Sequence, residues 1–210
     1  MKKCIIIGAG DFFGMPMKIG ENDLVIAADG GYKHCLDCKI TPDTVIGDLD
    51  SLGAPPENCN FTRLPVEKDD TDTLAAIKYG LDRGCGEFHI IGGTGGRFDH
   101  TIANMQSIVF LSKRKKQGFL YSEEYIVTAV TDGGIMFPTE ASGTVSVFSA
   151  GDEAEGVYET GLKYSLADAL VTNSFPIGVS NSFMGKKSTI KVNKGTLYII
   201  YPIDVKCEII

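Results

Sequence analysis

The chain has 210 residues, 43% of them hydrophobic and 22% charged, with a formal net charge of -7. This length can bury the core of one domain or of two small ones. The negative charge disfavours a nucleic-acid surface, which would need a basic stripe. No apolar run is long enough to span a membrane, and the first run, residues 4–9, is too short for a signal peptide. We therefore expect a cytoplasmic protein with no nucleic acid and no membrane as partner.

Six cysteines are spread along the sequence, and a chain of this length does not depend on disulfides for stability. We expect reduced thiols. Cys35 and Cys38 have the spacing of a zinc or redox pair, but the chain contains no second pair of this spacing. A zinc site is therefore the less favoured interpretation of these two residues.

The first 120 or so residues alternate strand and helix patterns. Apolar runs predict strands at residues 4–7, 24–28, 45–46, 61–64 and 88–91. Helices are predicted at residues 31–38, 71–83 and 99–113. Strands that alternate with helices predict an α/β domain with a mostly parallel sheet covered on both faces. In such sheets, ligands bind beyond the carboxyl ends of the strands.

The two longer helices show apolar residues at helical spacing. In the first, Leu74, Ile77 and Leu81 form the expected buried stripe. In the second, the buried side is expected to consist of five residues: Ile102, Met105, Ile108, Val109 and Phe110.

From about residue 125 onward the pattern changes to short β-strands separated by turn sequences. Strands are predicted at residues 125–130, 134–137, 144–148, 169–171, 188–192 and 196–201. The sequences Asp132-Gly133-Gly134 and Asn193-Lys194-Gly195 are interpreted as turns. This pattern predicts an all-β, sandwich-like second domain. We place the domains at residues 1–122 and 123–210.

Four polar motifs in the first domain each follow an apolar run, and together they are rich in aspartate. They are Asp29-Gly30-Gly31, Gly47-Asp48-Leu49-Asp50-Ser51, Lys68-Asp69-Asp70-Thr71-Asp72 and Gly92-Gly93-Thr94-Gly95-Gly96-Arg97-Phe98-Asp99-His100. Two carboxylates about 5 Å apart repel by roughly 3 kcal/mol at an effective dielectric constant near 20. Several of them at one strand edge therefore need a cation, and oxygen ligands suit Mg²⁺ best. The neighbouring glycines would let another molecule approach the backbone, so the motifs predict a site for Mg²⁺ and a polyphosphate.

Each motif also has a purely structural interpretation. Asp48 and Asp50 project to the same side of an extended segment, which suits a shared metal, but an Asx-turn is equally compatible with them. In the third motif, Lys68 could hold a phosphate while a neighbouring aspartate holds the metal. Asp69 or Asp70 could instead cap a helix whose first turn contains Asp72.

The glycine-rich fourth motif suits a phosphate cradle because arginine binds phosphate oxygens with two parallel hydrogen bonds. In the structural alternatives, Arg97 pairs with Asp99, and His100 is a first-turn residue rather than a general base. The sequence Gly8-Ala9-Gly10 resembles part of a dinucleotide fingerprint, but Phe13 stands where the third glycine would be needed. It is a weak indication of nucleotide binding.

The order and spacing of the four motifs resemble those of the thiamine pyrophosphokinase family. The resemblance continues in the β region, where Gly161-Leu162-Lys163-Tyr164-Ser165-Leu166 and Val179-Ser180-Asn181 are similar to the later motifs of that family. It implies an α/β domain followed by a β-sandwich, a homodimer with thiamine bound at the subunit interface, and the transfer of a diphosphoryl group from Mg·ATP to the thiamine hydroxyl to give thiamine diphosphate and AMP.

The resemblance also implies roles for individual residues. The metal ligands would be Asp48, Asp50, Asp69 and Asp72. Nucleotide binding would involve Asp29, Lys68, Asp69, Thr71, Thr94, Arg97 and His100, and Asp29 could support the metal instead. The catalytic set would be Asp48, Asp50, Asp72, Arg97 and Asp99. Thiamine would lie against Ser180 and Asn181. The chain lacks tryptophan, so Tyr164, Phe175 or Phe183 would stack on the substrate rings.

Two other functions are compatible with some of these residues. Asp48-Leu49-Asp50-Ser51 resembles the nucleophile motif of haloacid-dehalogenase-like phosphatases, although only a short apolar run precedes it. A non-catalytic regulator that binds nucleotide or thiamine is the second alternative. The intact charged motifs disfavour it.

Overall fold

The computed structural model describes residues 1–47, 59–63 and 70–210. The chain forms two compact units, the first consisting of Met1–Ser107 with Gly118–Glu123 and the second of Ile108–Gln117 with Glu124–Ile210. The expected functional division, an ATP/Mg-binding domain at residues 1–122 and a thiamine-binding domain at residues 123–210, stays a prediction.

The first half of the chain alternates strands and helices. In chain order these are β1 (Lys3–Ile7), β2 (Leu24–Ala28), α1 (Gly31–Asp37), β3 (Thr44–Gly47), β4 (Asn60–Arg63), α2 (Asp72–Asp82), β5 (Glu87–Ile91), α3 (Phe98–Ser112) and β6 (Gln117–Tyr121). Each of the predicted strands and helices is present within about two residues of its expected bounds. Strand β6 was not expected from the sequence.

The strands of the first unit lie in the order β6-β5-β1-β2-β3-β4. Strands β5, β1, β2, β3 and β4 are parallel to their neighbours, with Ile5 paired to Val25 on one side and to His89 on the other. All five residues of β2 are buried, as expected for a parallel strand with both faces covered. From β1 the chain proceeds outward through β2, β3 and β4, and then returns to the other side of β1 as β5. The switch point of the sheet, where such folds bind ligands, therefore lies between β1 and β5.

The buried faces of the two longer helices differ from those expected. In α2 the buried residues are Ala76, Ile77 and Gly80, and Gly80 lies so close to Cys4 and Phe88 that a side chain there would collide with them. The helix therefore approaches the sheet through small residues, and the predicted Leu74 and Leu81 are only partly buried.

In α3 the buried residues follow each other at helical spacing and include polar ones: Asn104, Ser107, Ile108, Leu111 and Ser112. Of the five residues expected to be buried, only Ile108 is, and Ile102 is 45% exposed. The expectation was wrong because polar side chains with a hydrogen-bond partner can face inward. Asn104 does so by donating from Nδ2 to the carbonyl oxygen of Gly93 over 2.8 Å.

The second unit is built from antiparallel strands. They are β7 (Tyr125–Phe137), β8 (Thr144–Ser149), β9 (Glu153–Thr160), β10 (Leu166–Thr172), β11 (Asn181–Ser182), β12 (Ser188–Pro202) and β13 (Glu208–Ile209). The order is β10-β9-β12-β7, with β8 also paired to β12, β11 to β8 and β13 to β7. Its core includes Phe137, whose ring makes edge contacts with Phe183 and Tyr201. The predicted fold class, an α/β domain followed by an all-β domain, is confirmed.

Strands β7 and β12 were each expected to be two strands separated by a turn, and that expectation was wrong. Gly133 and Gly134 pair in register with Val192 and Lys191, and the register shifts only between Val192 and Thr196. At this shift the backbone N–H of Gly195 donates to Oδ1 of Asp132 over 2.8 Å. Residues 193–195 form a bulge opposite Asp132, so both strands continue past the turn-like sequences.

No helix within the described ranges is long and apolar enough to cross a membrane.

Candidate functional site

The polar motifs of the first unit follow strands that end at a common edge. Because β1, β2, β3 and β5 are parallel, Gly8, Asp29 and Gly92 follow their strands at the same side of the sheet, next to Gly47 at the end of β3. Asp29 has a left-handed backbone, with φ of 48°, and its N–H donates to the carbonyl oxygen of Ile46 over 2.8 Å. Its position is therefore fixed by the neighbouring strand.

The first turn of α2 belongs to the same edge. This helix joins β4 to β5, and since both strands run in the same direction, the helix runs back and begins where the strands end. Asp72 is its first residue. The N-cap is Thr71, whose Oγ1 accepts from the N–H of Leu74 over 3.2 Å. The expectation of Asp69 or Asp70 as the cap was wrong, because Asp70 instead pairs with Lys78 at 2.6 Å.

Four of the predicted site residues, Asp48, Asp50, Lys68 and Asp69, lie outside the described residues. Within the described ranges, no group of three or more His, Cys, Asp or Glu side chains is arranged to hold a metal ion. The Mg²⁺ ligands therefore stay a prediction. What the fold supplies is an edge that carries Asp29 and Asp72, and these have the oxygen donors that Mg²⁺ prefers.

The loops after β1 and β5 are joined by a ladder of backbone hydrogen bonds. The N–H groups of Gly8 and Gly10 donate to the carbonyl oxygens of Ile91 and Gly92, at 2.8 and 2.7 Å. A Cβ on Gly8 would lie only 2.7 Å from the carbonyl oxygen of Gly92. Gly8 and Gly10 thus allow two segments of the chain to approach closely, in agreement with a Gly-x-Gly sequence that is a weak indication of nucleotide binding.

The glycine-rich loop is also anchored from the opposite side. The hydroxyl of Thr94 donates to the carbonyl oxygen of Tyr121 over 3.3 Å, and the carbonyl oxygen of Thr94 accepts from the N–H of Asp11 over 2.8 Å. Thr94, assigned to nucleotide binding by the resemblance, thus makes two hydrogen bonds that fix the loop.

Arg97 and Asp99 form an ion pair with two hydrogen bonds at the start of α3. Nη2 of Arg97 lies 2.6 Å from Oδ2 of Asp99, and Nε lies 3.2 Å from Oδ1. The hydrogen bond from Arg97 holds the pKa of Asp99 below its usual range, and the pKa of Arg97 is raised by the same bond. His100 is exposed in the first turn of the helix. The structural alternative for Arg97, in which it pairs with Asp99, is therefore the arrangement observed.

Sequence reasoning overlooked a contact between α1 and the loop after β1. Nε2 of His34 lies 3.1 Å from the carbonyl oxygen of Gly10, and its ring stacks on Phe12 with centroids 4.8 Å apart. His34 thus stabilises the loop at the switch point of the sheet.

The cysteines of the chain are not paired with each other. Cys35 is buried, Cys38 is exposed, and all six cysteines carry free thiols.

In the second unit, Ser180 lies in an exposed turn held in an unusual conformation. Its φ of 59° is in the left-handed region that side chains other than glycine rarely adopt. Its N–H donates to Oγ of Ser146 over 3.0 Å. The assignment of Ser180 to thiamine binding stays a prediction.

Asn181 is buried, with only 4% of its surface exposed. Its Oδ1 accepts from the N–H groups of Tyr164 and Ser182, both at 2.9 Å. Its Nδ2 donates to the carbonyl oxygen of Tyr164 at 2.6 Å and to Oε2 of Glu159 at 2.7 Å. A side-chain amide offers two donors and two acceptors, so these four bonds use its full capacity. Glu159 was not singled out from the sequence, because β9 was not predicted.

The three aromatic candidates for thiamine stacking differ in exposure. Tyr164 is 61% exposed and Phe175 is 66% exposed, whereas Phe183 is buried against Phe137. Tyr164 and Phe175 are therefore the accessible platforms.

The fold and the site define a class of protein. An α/β unit with acidic and glycine-rich motifs at the carboxyl edge of its parallel sheet is followed in the chain by an antiparallel β unit. This organisation defines a class of two-unit proteins in which a ligand is expected at the carboxyl edge of the sheet.

Comparison with known proteins specifies this class. The family model described as "Thiamin pyrophosphokinase, catalytic domain" matches residues 17–120, and the model "Thiamin pyrophosphokinase, vitamin B1 binding domain" matches residues 135–197. Together these two matches cover more than half of the chain. The chain belongs to the thiamin pyrophosphokinase family.

Individual relatives agree with this result. The chain is 26% identical over 214 residues to the thiamine pyrophosphokinase of Bacillus subtilis (strain 168), covering 97% of this chain and 100% of the relative. It is 23% identical to Thiamin pyrophosphokinase 1 of Caenorhabditis elegans, over 83% of this chain and 77% of the relative.

Solved structures agree on the fold. The thiamine pyrophosphokinase of Bacillus subtilis superposes with a TM-score of 0.85 at 24% identity, over 97% of this chain and 100% of that chain. The enzyme from Candida albicans gives 0.73 at 15% identity, over 97% and 89%. The matches to the two family models and to the Bacillus subtilis relative do not favour the phosphatase or the non-catalytic regulator.

Proposed function

We propose that this chain transfers a diphosphoryl group from Mg·ATP to the hydroxyl of thiamine, giving thiamine diphosphate and AMP. The observation that carries the proposal is the order of the two family matches. The catalytic model falls on the parallel sheet and its polar motifs, and the vitamin model falls on the antiparallel unit.

In this proposal, the nucleotide binds at the carboxyl edge of the sheet. Arg97 would bind phosphate oxygens with its two-pronged guanidinium, and the N-terminus of the 11-residue helix α2 would favour nearby negative charge. Asp29, Lys68, Asp69, Thr71, Thr94 and His100 complete the proposed nucleotide set.

The proposed metal is Mg²⁺, held by Asp48, Asp50, Asp69 and Asp72. All four would supply carboxylate oxygens, and Asp72 lies in the first turn of α2 at the sheet edge. When bound, Mg²⁺ would offset negative charge on the phosphate oxygens.

The thiamine hydroxyl must lose a proton during transfer, and Asp72 and Asp99 are the candidates to orient the hydroxyl or accept that proton. While Arg97 pairs with Asp99, it holds the pKa of Asp99 below its usual range and makes Asp99 a weaker base.

Thiamine would bind on the second unit near Ser180 and Asn181. The exposed rings of Tyr164 and Phe175 offer π-faces to a cationic substrate, and the net charge of -7 favours its approach. The four hydrogen bonds of Asn181 assign its side chain to holding this surface, so direct contact would come from its neighbours.

We further propose that the protein works in the cytoplasm as a homodimer with thiamine at the subunit interface. Several large apolar side chains of residues 164–184 are at least half exposed: Tyr164, Leu170, Phe175, Ile177, Val179 and Met184. Exposed apolar residues concentrated in one segment are typical of a binding surface. The free thiols are compatible with a reducing compartment.

The test is to mix the protein with ATP, Mg²⁺ and thiamine and to separate the products by mass. Thiamine diphosphate and AMP in equal amounts, absent when thiamine or Mg²⁺ is omitted, support the proposal. ADP with thiamine monophosphate would contradict it. Release of inorganic phosphate with a phosphoaspartate at Asp48 would indicate the phosphatase, and binding of both ligands without AMP would indicate the regulator.

A further inference from the structure

Glu159 is a carboxyl group in the interior of the second unit. It lies on β9, opposite Leu166 of β10 and Ile190 of β12, and only 1% of its surface is exposed. Among the Asp and Glu side chains that the structure describes, it is the only one in the buried class. Burial raises the pKa of this group, and the hydrogen bond from Asn181 lowers it in part. A carboxyl group at such a position is costly unless it has a specific partner.

The partner of Glu159 is the side-chain amide of Asn181. Nδ2 of Asn181 donates to Oε2 of Glu159 over 2.7 Å, while Oε1 accepts no hydrogen bond from the described residues. The amide group also binds both backbone polar groups of Tyr164: Oδ1 accepts from its N–H, and Nδ2 donates to its carbonyl oxygen. Tyr164 therefore determines which of the two terminal atoms of Asn181 is the oxygen and which is the nitrogen. Glu159 receives the one amide hydrogen that Tyr164 does not use.

The hydrogen bonds that join Glu159, Asn181 and Tyr164, called the clamp below, fix a short segment of backbone. The N–H of Lys163 donates to the carbonyl oxygen of Ser182 over 2.9 Å, and Leu162 forms an isolated bridge with Phe183. Residues 162–164 are therefore held along residues 181–183 by backbone and amide hydrogen bonds. The ring of Tyr164 remains exposed, with Nζ of Lys163 5.3 Å from its centroid.

Glu159 accepts the hydrogen bond of the Asn181 amide that Tyr164 and Ser182 do not take up. The terminal torsion of an asparagine side chain has a broad energy profile, so hydrogen bonds rather than rotamer preference fix the amide plane. Removal of Glu159 would leave a buried N–H donor of Asn181 unpaired. An amide that turns toward another acceptor gives up its bonds to the N–H and C=O of Tyr164, so the hold on that residue weakens.

We propose that Glu159 is a positioning residue for the vitamin: through Asn181, it fixes the backbone at Tyr164 and hence the exposed surface against which thiamine binds. The inference rests on the proposed function. It predicts that replacing Glu159 lowers the affinity for thiamine and leaves the KM for ATP unchanged.

Three variants of β9 test this. Glu159→Leu has similar volume but no acceptor, and Glu159→Gln keeps a carbonyl oxygen for Asn181. Glu155→Gln is the control, because Glu155 is exposed on the same strand and pairs with Lys194. We expect Glu159→Leu to raise the thiamine KM about tenfold, with the ATP KM and kcat near parent values. Glu159→Gln and Glu155→Gln should keep the thiamine KM of the parent.

A second measurement reads the clamp without any assay of activity. Hydrogen exchange of the backbone amide of Tyr164 should be about tenfold faster in Glu159→Leu than in the parent, and unchanged in Glu159→Gln. If Glu159→Leu does not fold, Glu159→Ser replaces it, with the same expectations for thiamine KM and amide exchange.

The outcomes separate the two proposals. If the parent protein makes no thiamine diphosphate, the proposed function fails, and exchange at Tyr164 still tests the clamp. If the parent is active but Glu159→Leu, or Glu159→Ser in its place, keeps the parent thiamine KM and slow exchange at Tyr164, the role of Glu159 is refuted. An ATP KM raised as much as the thiamine KM, or a Glu159→Gln variant as impaired as Glu159→Leu, would also overturn it.

Discussion

Arg97 and Asp99 bind each other through two hydrogen bonds at the start of α3, with the shorter one at 2.6 Å. Their side chains are 72% and 64% exposed, so water screens the pair and it contributes little to stability. In the proposed complex, phosphate oxygens would accept hydrogen bonds from the same two N–H donors of Arg97 that now bind Asp99. Asp99 would then hold the guanidinium in place until a nucleotide binds.

For Arg97→Gln we expect a loss of about tenfold or more in kcat/KM for ATP, because a neutral amide cannot bind phosphate with a charged two-pronged group. The unfolding midpoint should change little. Steady-state kinetics with varied ATP measures the effect. Arg114→Gln is the matched control, since Arg114 lies at the other end of the helix over the ring of Phe110. If Arg97→Gln keeps the kcat/KM of the parent for ATP, the assignment of Arg97 to nucleotide binding is refuted.

A double-mutant cycle separates Asp99 from Arg97. If Asp99 acts only by orienting Arg97, the double variant Arg97→Gln/Asp99→Asn should lose no more activity than Arg97→Gln alone. Additive losses would instead indicate a separate role for Asp99, such as contact with the thiamine hydroxyl. The measurement is kcat/KM for ATP in the parent, both single variants and the double variant.

Asp72→Asn should leave the fold intact but reduce AMP formation about 100-fold, because an amide is a much weaker Mg²⁺ ligand than a carboxylate. Asp70→Asn is its control: Asp70 lies two residues away and pairs with Lys78 on the surface. AMP formation is measured over a series of Mg²⁺ concentrations, together with thermal unfolding. A rate near that of the parent in Asp72→Asn would refute the metal assignment.

Thr71→Ala should reduce the free energy of unfolding by about 1 kcal/mol, because it removes the N-cap hydrogen bond to the N–H of Leu74. Thr71→Ser retains the hydroxyl and should unfold like the parent. Denaturant titration of the three proteins gives the comparison. Equal stability of Thr71→Ala and the parent would mean that the cap is dispensable.

Burial of Glu159 predicts a pH-dependent stability. Its pKa is raised above the ordinary value of 4.5, chiefly because burial disfavours the charged form. Below that value both the folded and the unfolded chain hold the proton, and as pH rises the unfolded chain releases it first, which favours unfolding. The contribution of Glu159 to the stability of the parent therefore falls as pH rises above 4.5, until the folded-state pKa of Glu159 is passed.

Glu159→Gln has no ionisable group at this position and should escape that loss. Its stability should equal that of the parent under acidic conditions and exceed it increasingly toward neutral pH. Free energies of unfolding measured over a pH series give the difference between the two proteins, with Glu155→Gln as the exposed control. A difference that does not vary with pH would contradict the buried, raised-pKa state of Glu159.

Much of the first unit could be predicted from local sequence. Strands β1 and β2 are apolar runs followed by Gly8 and Asp29, and parallel strands buried on both faces need such runs. Strand β9 could not be found in this way, because the segment Glu153–Thr160 contains three glutamates and a glycine. Its strand conformation depends on pairing with β12 and β10, which are distant in sequence.

The candidate site divides along the same line. The sequence alone determined which residue types follow the strands, and hence predicted an oxygen-rich edge suited to Mg²⁺ and phosphate. It could do so because the spacing of apolar residues and the residue types at turns are properties of short stretches of sequence. Only the tertiary structure decided that Asn181 joins Glu159, 22 residues earlier, to Tyr164, 17 residues earlier. Hydrogen bonds between distant residues depend on strand pairing and burial, and no short stretch of sequence specifies these.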